Sequence, residues 1–384
     1  MLLTLSKTHQ QLQETAREFA DKILIPNADR YDRAEEYPAE NVEKLAELGF
    51  MGILIPEEFG GTGLDNVGLT LALEEIQRGC ASTGVTLSVH NSLLSNPLLY
   101  FGSQEQHQRY LPRLASGEWL GAYAITEPDH GSDAAAIETT CRREGDEYVL
   151  NGTKAWITNG THAHVIITFA TPDSSLGPKG VCAFILEKDF PGFQVGKKEK
   201  KLGIRGSDTV QLVFDEMRVP AENLLGEEGQ GFKIAMHTLD GGRIGIATQA
   251  VGIAQACLDA SVQFAAAQEQ FGRPLRASQL IAHRIADLAT EVEAARLLTL
   301  RAAMLKDAKE PHSKEASMAK LFASEVANRA ARTAMEIHGG EAFCRGTPVE
   351  RLYRDAKITE IYEGTSEIQR LVISRHCFPR AEKK

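Results

Sequence analysis

The hydrophobic period of this chain changes twice, and few folds accommodate that order. Up to about residue 120, apolar residues recur at helical spacing: Leu12, Ala16, Phe19, Ala20 and Ile23 before Pro26 interrupts, then Val42, Leu45 and Leu48 behind Pro38. At Trp119 the pattern breaks into short segments rich in Val, Ile, Thr and Phe, at 121–126, 137–142, 147–151, 154–158, 163–169, 180–187 and 209–215. Glu144-Gly145-Asp146, Asn151-Gly152 and Asn159-Gly160 separate some of them. Turn signals at roughly ten-residue intervals predict a small antiparallel barrel or sandwich. From about 229 the helical period returns, over about Gly231 to Ala267, 276–307 and 313–338. Such long amphipathic stretches predict a four-helix bundle. The expected fold is α+β, with an N-terminal helical domain (1–120), a central β domain (121–228) and a C-terminal bundle (229–384).

Within the first part, Gly60-Gly61-x-Gly63 reads as a loop and Val67 to Ile76 as a buried helix. Residues 84–100 are almost uncharged, as one helix lining a pocket or core would be. His90 within it reads as a hydrogen-bonded core residue, and Ser103-Gln104-Glu105-Gln106 as a helix start.

The formal charge of -10 disfavours nucleic acid or an anionic membrane as partner. A basic C-terminal group (Arg370, Arg375, Arg380, Lys383, Lys384) is interleaved with Glu367 and Glu382 and reads as a solvated face or a local phosphate contact. The six cysteines form no C-x-x-C pair and the histidines no H-E-x-x-H pattern, so a reducing compartment and no metal site are expected. The first residues, Met1-Leu2-Leu3-Thr4-Leu5-Ser6-Lys7, read as neither signal nor transit peptide, and no apolar run of about 18 residues is evident. A soluble cytoplasmic protein without membrane insertion is expected.

Four stretches could carry chemistry. Ile361-Tyr362-Glu363-Gly364-Thr365-Ser366-Glu367 sets one carboxylate on a Gly-Thr-Ser corner that can cap the next helix. A carboxylate held among apolar neighbours becomes a stronger base. Tyr123 to Asp133 is a strand entering a loop dense in hydroxyls and glycine, able to meet a planar polar ligand. Lys154 to Gly160 offers Trp156 for stacking and Thr158 for hydrogen bonding. Asp240 and Arg243, at i and i+3, are either a local ion pair or a clamp for a polar ligand. No G-x-G-x-x-G opens a βαβ unit, so a Rossmann site is not supported.

Together these motifs resemble the acyl-CoA dehydrogenases, most closely their short-chain, butyryl-type branch. The resemblance spans nearly the whole length and adds Lys201-Leu202-Gly203-Ile204-Arg205-Gly206-Ser207, Leu224-Leu225-Gly226, Leu239 to Ile244 and Gln270-Phe271-Gly272. It implies FAD-dependent α,β-dehydrogenation of a short acyl-CoA to the trans-2-enoyl-CoA in fatty acid β-oxidation. By position, Glu363 would take the pro-R α-proton while the flavin N5 accepts hydride from the β-carbon. The Glu363 N–H and a flavin ribityl hydroxyl would hold the thioester oxygen. Cofactor contacts would come from Tyr123, Ile125, Thr126, Ser132, Trp156, Ile157, Thr158, Gln268, Phe271, Gln279, Glu336, Gly339, Gly340, Thr365 and Glu367. Substrate contacts would come from Ser132, Asp240, Arg243 and Gly364. Some relatives carry the base where this chain has Gly242, which cannot serve.

The resemblance further implies a homotetramer that passes electrons to an electron-transfer flavoprotein. Enzymes for branched or cyclic acyl-CoAs, or a flavoprotein of this fold recruited to scaffolding or nucleic acid, are the alternatives. This chain departs from the pattern at Gln268, where Arg is usual, and at Glu336, where Gln is common. The net change is toward negative charge near a flavin pyrophosphate, with Arg273 or Arg276 expected to compensate.

Overall fold

The computed structural model describes residues 5–378. The start at Met1-Leu2-Leu3-Thr4 and the basic Arg380, Lys383 and Lys384 lie outside them. The N-terminal part holds α1 (Lys7–Phe19), α2 (Ile25–Ala34), α3 (Ala39–Glu47), α4 (Asn66–Gly79), α5 (Ala81–Ser88), α6 (Asn96–Phe101) and α7 (Gln104–Ala115). Pro26 does not end the helix: α1 runs through a π turn, Ala20–Leu24, into α2 without a break, and the wider turn lies where the proline's missing N–H interrupts the ladder. The uncharged stretch is helical as expected, α5 running through a π-wound Val89–Ser95 into α6 without a break. His90 is fully buried there; its Nε2 lies 3.1 Å from the Leu114 carbonyl and its Nδ1 accepts from the Gly121 N–H at 3.1 Å. It fastens the helical layer to the first strand, and burial pushes its pKa down to about 4. The start of α7 is a capping box between Ser103 and Gln106.

The middle part comprises β1 (Gly121–Ala124), β2 (Thr140–Glu144), β3 (Glu147–Thr158), β4 (Val165–Ala170), β5 (Cys182–Glu187), β6 (Phe193–Lys198), β7 (Thr209–Pro220) and β8 (Leu224–Leu225). They form two sheets, β1-β4-β5-β8 and β2-β3-β7-β6, with Leu150, Ile157, Phe184 and Leu212 among the residues buried between them. The sandwich is not wholly antiparallel, because β1 runs parallel to β4. Asn151-Gly152 is no turn. It is a bulge within one long strand, where the register against β7 shifts and the Asn151 side-chain Oδ1 accepts from the Glu216 N–H at 2.8 Å. β6 escaped the sequence reading because it is an exposed edge strand with little apolar alternation.

The last part holds α8 (Gly231–Ala267), a hairpin of β9 (Glu269–Gln270) and β10 (Arg273–Pro274), α9 (Gln279–Asp307), α10 (Ser313–His338), α11 (Pro348–Ala356) and α12 (Ser366–Cys377). α8 is the central strut rather than an amphipathic surface helix: every residue from Gly241 to Ala254 is buried. It is long and apolar enough to cross a membrane by length and composition, contrary to expectation. Neighbouring helices, α4 and α10 above all, cover its apolar faces instead. At Gly252 a Cβ would lie 2.7 Å from the Glu74 carbonyl of α4, so glycine permits this close crossing.

Candidate active site

The corner between α11 and α12 has an unusual backbone. Glu363 sits at φ 52° and Gly364 at φ 93°. A non-glycine residue in the left-handed region costs roughly 1–3 kcal/mol and persists only where its surroundings hold it. Here Gln369 Nε2 donates to the carbonyls of Glu363 (3.3 Å) and Gly364 (2.8 Å), and Lys320 Nζ donates to Gly364 O at 2.7 Å. Thr365 caps α12 by accepting from the Ile368 N–H, and the Tyr362 hydroxyl donates to the Gln249 side chain of α8.

This backbone lays the Glu363 carboxylate across α8 at Gly242. A Cβ on Gly242 would come within 1.9 Å of Glu363 Oε2 and 2.8 Å of Leu93 Cδ2, so only glycine leaves room. Oε2 is buried and has no hydrogen-bond partner. Burial pushes the Glu363 pKa up to about 7, with Lys320 and Arg243 pulling the other way. The buried Tyr123 hydroxyl also has no partner, and burial with the nearby Glu363 charge raises its pKa well above the ordinary value. Two unsatisfied buried oxygens at one place mark a site built to receive polar atoms from a ligand.

Arg243, the residue after Gly242 on α8, is buried and donates one turn back to Asp240, which also accepts from Ser313 Oγ at 2.9 Å. The local ion pair is therefore formed, while Arg243 Nε stays unpartnered. Asp240 opens onto a cleft of about 560 Å³ whose lining includes His237, Lys306, His312 and Ser313. His237 and His312 each leave Nε2 unpaired there.

On the β side, Lys154 is fully buried and its Nζ pairs with Glu127 at 2.7 Å. Glu127 also accepts from the N–H groups of Glu138 (2.7 Å) and Thr139 (2.9 Å), and the Ala155 N–H donates to Thr126 O at 2.8 Å. The loop after β1 is thus tied to the end of β3. At that end a register shift turns Trp156 to φ 63° and leaves it 60% exposed. Ile157 points into the sandwich core, so only its backbone faces outward; Ile125, Thr126 and Thr158 are half-buried and Ser132 exposed. An exposed indole beside two threonines at the strand ends fits a flat heterocycle with polar edges.

The remaining candidates lie elsewhere. Gln268 ends α8, Phe271 tips the hairpin fully exposed at φ 53°, Gln279 begins α9, and Glu336, Gly339 and Gly340 end α10. At 1.5 Å per residue, Gln268 is about 37 Å along α8 from Arg243. These residues gather at one exposed end of the bundle, around Phe264, Ile281 and Ile337. Glu336 is 3.1 Å from Arg284 and 3.9 Å from Arg332. Its charge is met there because an α9 side chain reaches across to α10.

Lys320, Gln369, Gln249 and the Glu127–Lys154 pair were not assigned roles from sequence. One signal was available: Lys320 interrupts the small-residue face Ala316, Ala319, Ala323 and Ala327, where a lysine has no business unless something polar faces it.

Three family models match in turn: acyl-CoA dehydrogenase N-terminal domain over residues 6–118, middle domain over 122–217 and C-terminal domain over 229–378. The mitochondrial short-chain specific acyl-CoA dehydrogenase of Bos taurus is 54% identical over 372 residues, 97% of this chain and 90% of that protein. The structure of butyryl-CoA dehydrogenase from Megasphaera elsdenii is 44% identical with a TM-score of 0.97, over 98% of this chain and 100% of that one. A glutaryl-CoA dehydrogenase of Mycobacterium smegmatis in complex with FADH2 is 31% identical with a TM-score of 0.92, over 99% and 97% respectively.

Proposed function

The chain belongs to the acyl-CoA dehydrogenase family, and from that premise we propose that it desaturates a short acyl-CoA thioester, with Glu363 as the base. The observation that carries this reading is the Glu363 carboxylate, buried over Gly242 with Oε2 unpartnered. Raised toward neutrality, it can take a weakly acidic α-proton yet be ionised at physiological pH. The left-handed corner leaves the Glu363 N–H available to polarise the thioester oxygen, making the α-proton more acidic. Arg243, Asp240 and Gly364 would line the path of the thioester and its carrier. The cleft beyond Asp240, with Lys306, His237 and His312, suits the phosphate-bearing end of coenzyme A.

FAD is the cofactor we assign; when bound, it supplies the hydride acceptor for the β-carbon. Tyr123, Ile125, Thr126, Ser132, Trp156, the Ile157 backbone, Thr158, Thr365 and Glu367 would hold it. Gln268, Phe271, Gln279, Glu336, Gly339 and Gly340 lie too far along α8 to share that flavin within one protomer. They suit the flavin of a neighbouring copy, which supports a homotetramer. A three-part division at 120 and 228, electron transfer to an electron-transfer flavoprotein, and residence in the cytoplasm complete the proposal; the six free thiols suit a reducing compartment.

The test is anaerobic addition of butyryl-CoA to the yellow protein and to Glu363→Gln. Bleaching of the wild type with an inert variant is expected. Yellow protein left unbleached would redirect the search to longer, branched or cyclic acyl-CoAs, and a protein that cannot take up FAD would end the dehydrogenase reading.

A further inference from the structure

Among the buried residues of α10, Lys320 alone is charged. Its ammonium meets no carboxylate head-on; it donates to Gly364 O at 2.7 Å. Gln369 gives neutral N–H bonds to that carbonyl and to Glu363 O, so the two side chains hold the corner together. What Lys320 adds is charge. The charged groups facing Glu363 are Lys320 from α10 and Arg243 from α8, with Tyr123 from β1 and Tyr362 beside them. Glu360 and Glu367, on the corner's own segment, also act on Lys320, behind Glu363. Arg243 is neutralised by its bond to Asp240, which leaves Lys320 as the cation not offset by a direct carboxylate bond.

We propose that Lys320 is a positioning residue for the reaction: its ammonium pins the Gly364 carbonyl, fixing the corner that sets the Glu363 carboxylate over Gly242, and its charge keeps that carboxylate ionised. The proposal rests on the reading of Glu363 as base. Removing a nearby cation disfavours the ionised carboxylate, so its titration must move to higher pH.

The experiment compares Lys320→Met, Lys320→Gln and Lys320→Arg in the FAD-loaded enzyme. It reads flavin reduction by butyryl-CoA against pH, and the ¹³C carboxyl resonance of Glu363 without substrate. Both neutral variants should move the Glu363 midpoint up by about one pH unit and slow reduction at pH 7 by about 10- to 100-fold. Half-saturation by substrate should stay nearly constant, and Lys320→Arg should restore the midpoint. A neutral variant with wild-type midpoint and rate would overturn the proposal. If neither neutral variant folds, Lys320→His decides: its buried ring is neutral at high pH, so a Glu363 midpoint unchanged from wild type there would overturn the proposal. A Glu363→Gln protein that still reduces its flavin would sink the parent reading, leaving the resonance to judge the Lys320–Glu363 coupling separately.

Discussion

At neutral pH the Glu363 carboxylate works against the fold that holds it. Its pKa, near 7, lies above the ordinary 4.5, so the folded chain holds this proton more tightly than the unfolded chain does. The associated stability is complete below about pH 4.5 and is lost as pH rises through 7. Glu363→Gln removes the penalty. The variant should therefore melt higher than wild type at pH 8, by the equivalent of about 2–3 kcal/mol, with a smaller gap at pH 5.5. Paired melts at the two pH values check this, and a gap that widens on acidification would refute the assigned burial. Gly242→Ala is the converse case. A methyl 1.9 Å from Oε2 must push the carboxylate aside, and flavin reduction should fall by about 100-fold while FAD stays bound. Stopped-flow traces on the two proteins would measure it.

Elements carry the site through ties that cross the layers. β1 and β3 end side by side, at the wall proposed to face the flavin, because Lys154 and Glu127 bind them together inside the protein. Breaking a buried pair from one side strands the other charge, so Lys154→Met should destabilise by about 3–5 kcal/mol. Lys154→Met combined with Glu127→Gln should recover part of that loss. Thermal unfolding of the single and double variants distinguishes a true pair from two independent residues. The Trp156 emission should also shift in the single variant, since the bulge that exposes its ring starts directly after Lys154.

For the whole molecule, the length of α8 has the largest consequence. It separates Glu363 from Phe271 and its companions by tens of ångströms, so the proposal that both groups serve a flavin requires a neighbouring copy. A fully exposed phenylalanine at a hairpin tip is costly in water and sensible in an interface. Phe271→Asp should yield smaller species by sedimentation and weaken FAD retention, while the isolated chain keeps its helical signal. A variant that stays assembled with flavin bound would show that the hairpin does not reach a neighbour.

Periodicity was enough for the order of the three parts and the long helices, and turn and capping residues for the corner at Glu363, because those features depend on neighbours within a few residues. Capping at Ser103 and Thr365 and the buried role of His90 were legible for the same reason. Tertiary structure decided what depends on distant segments. The parallel β1–β4 pairing, the merging of two short strands at Asn151-Gly152, and the π turns around Pro26 and His90 arise where packing overrides local propensity. The same holds for the site: no spacing in the sequence shows that Gly242 underlies Glu363, that Lys320 meets Gly364 from 44 residues away, or that Arg284 meets Glu336. A residue's type sets which chemistry it can perform, but its burial and the charges facing it set the proton affinity, and those exist only once α8, α10 and the corner have packed together.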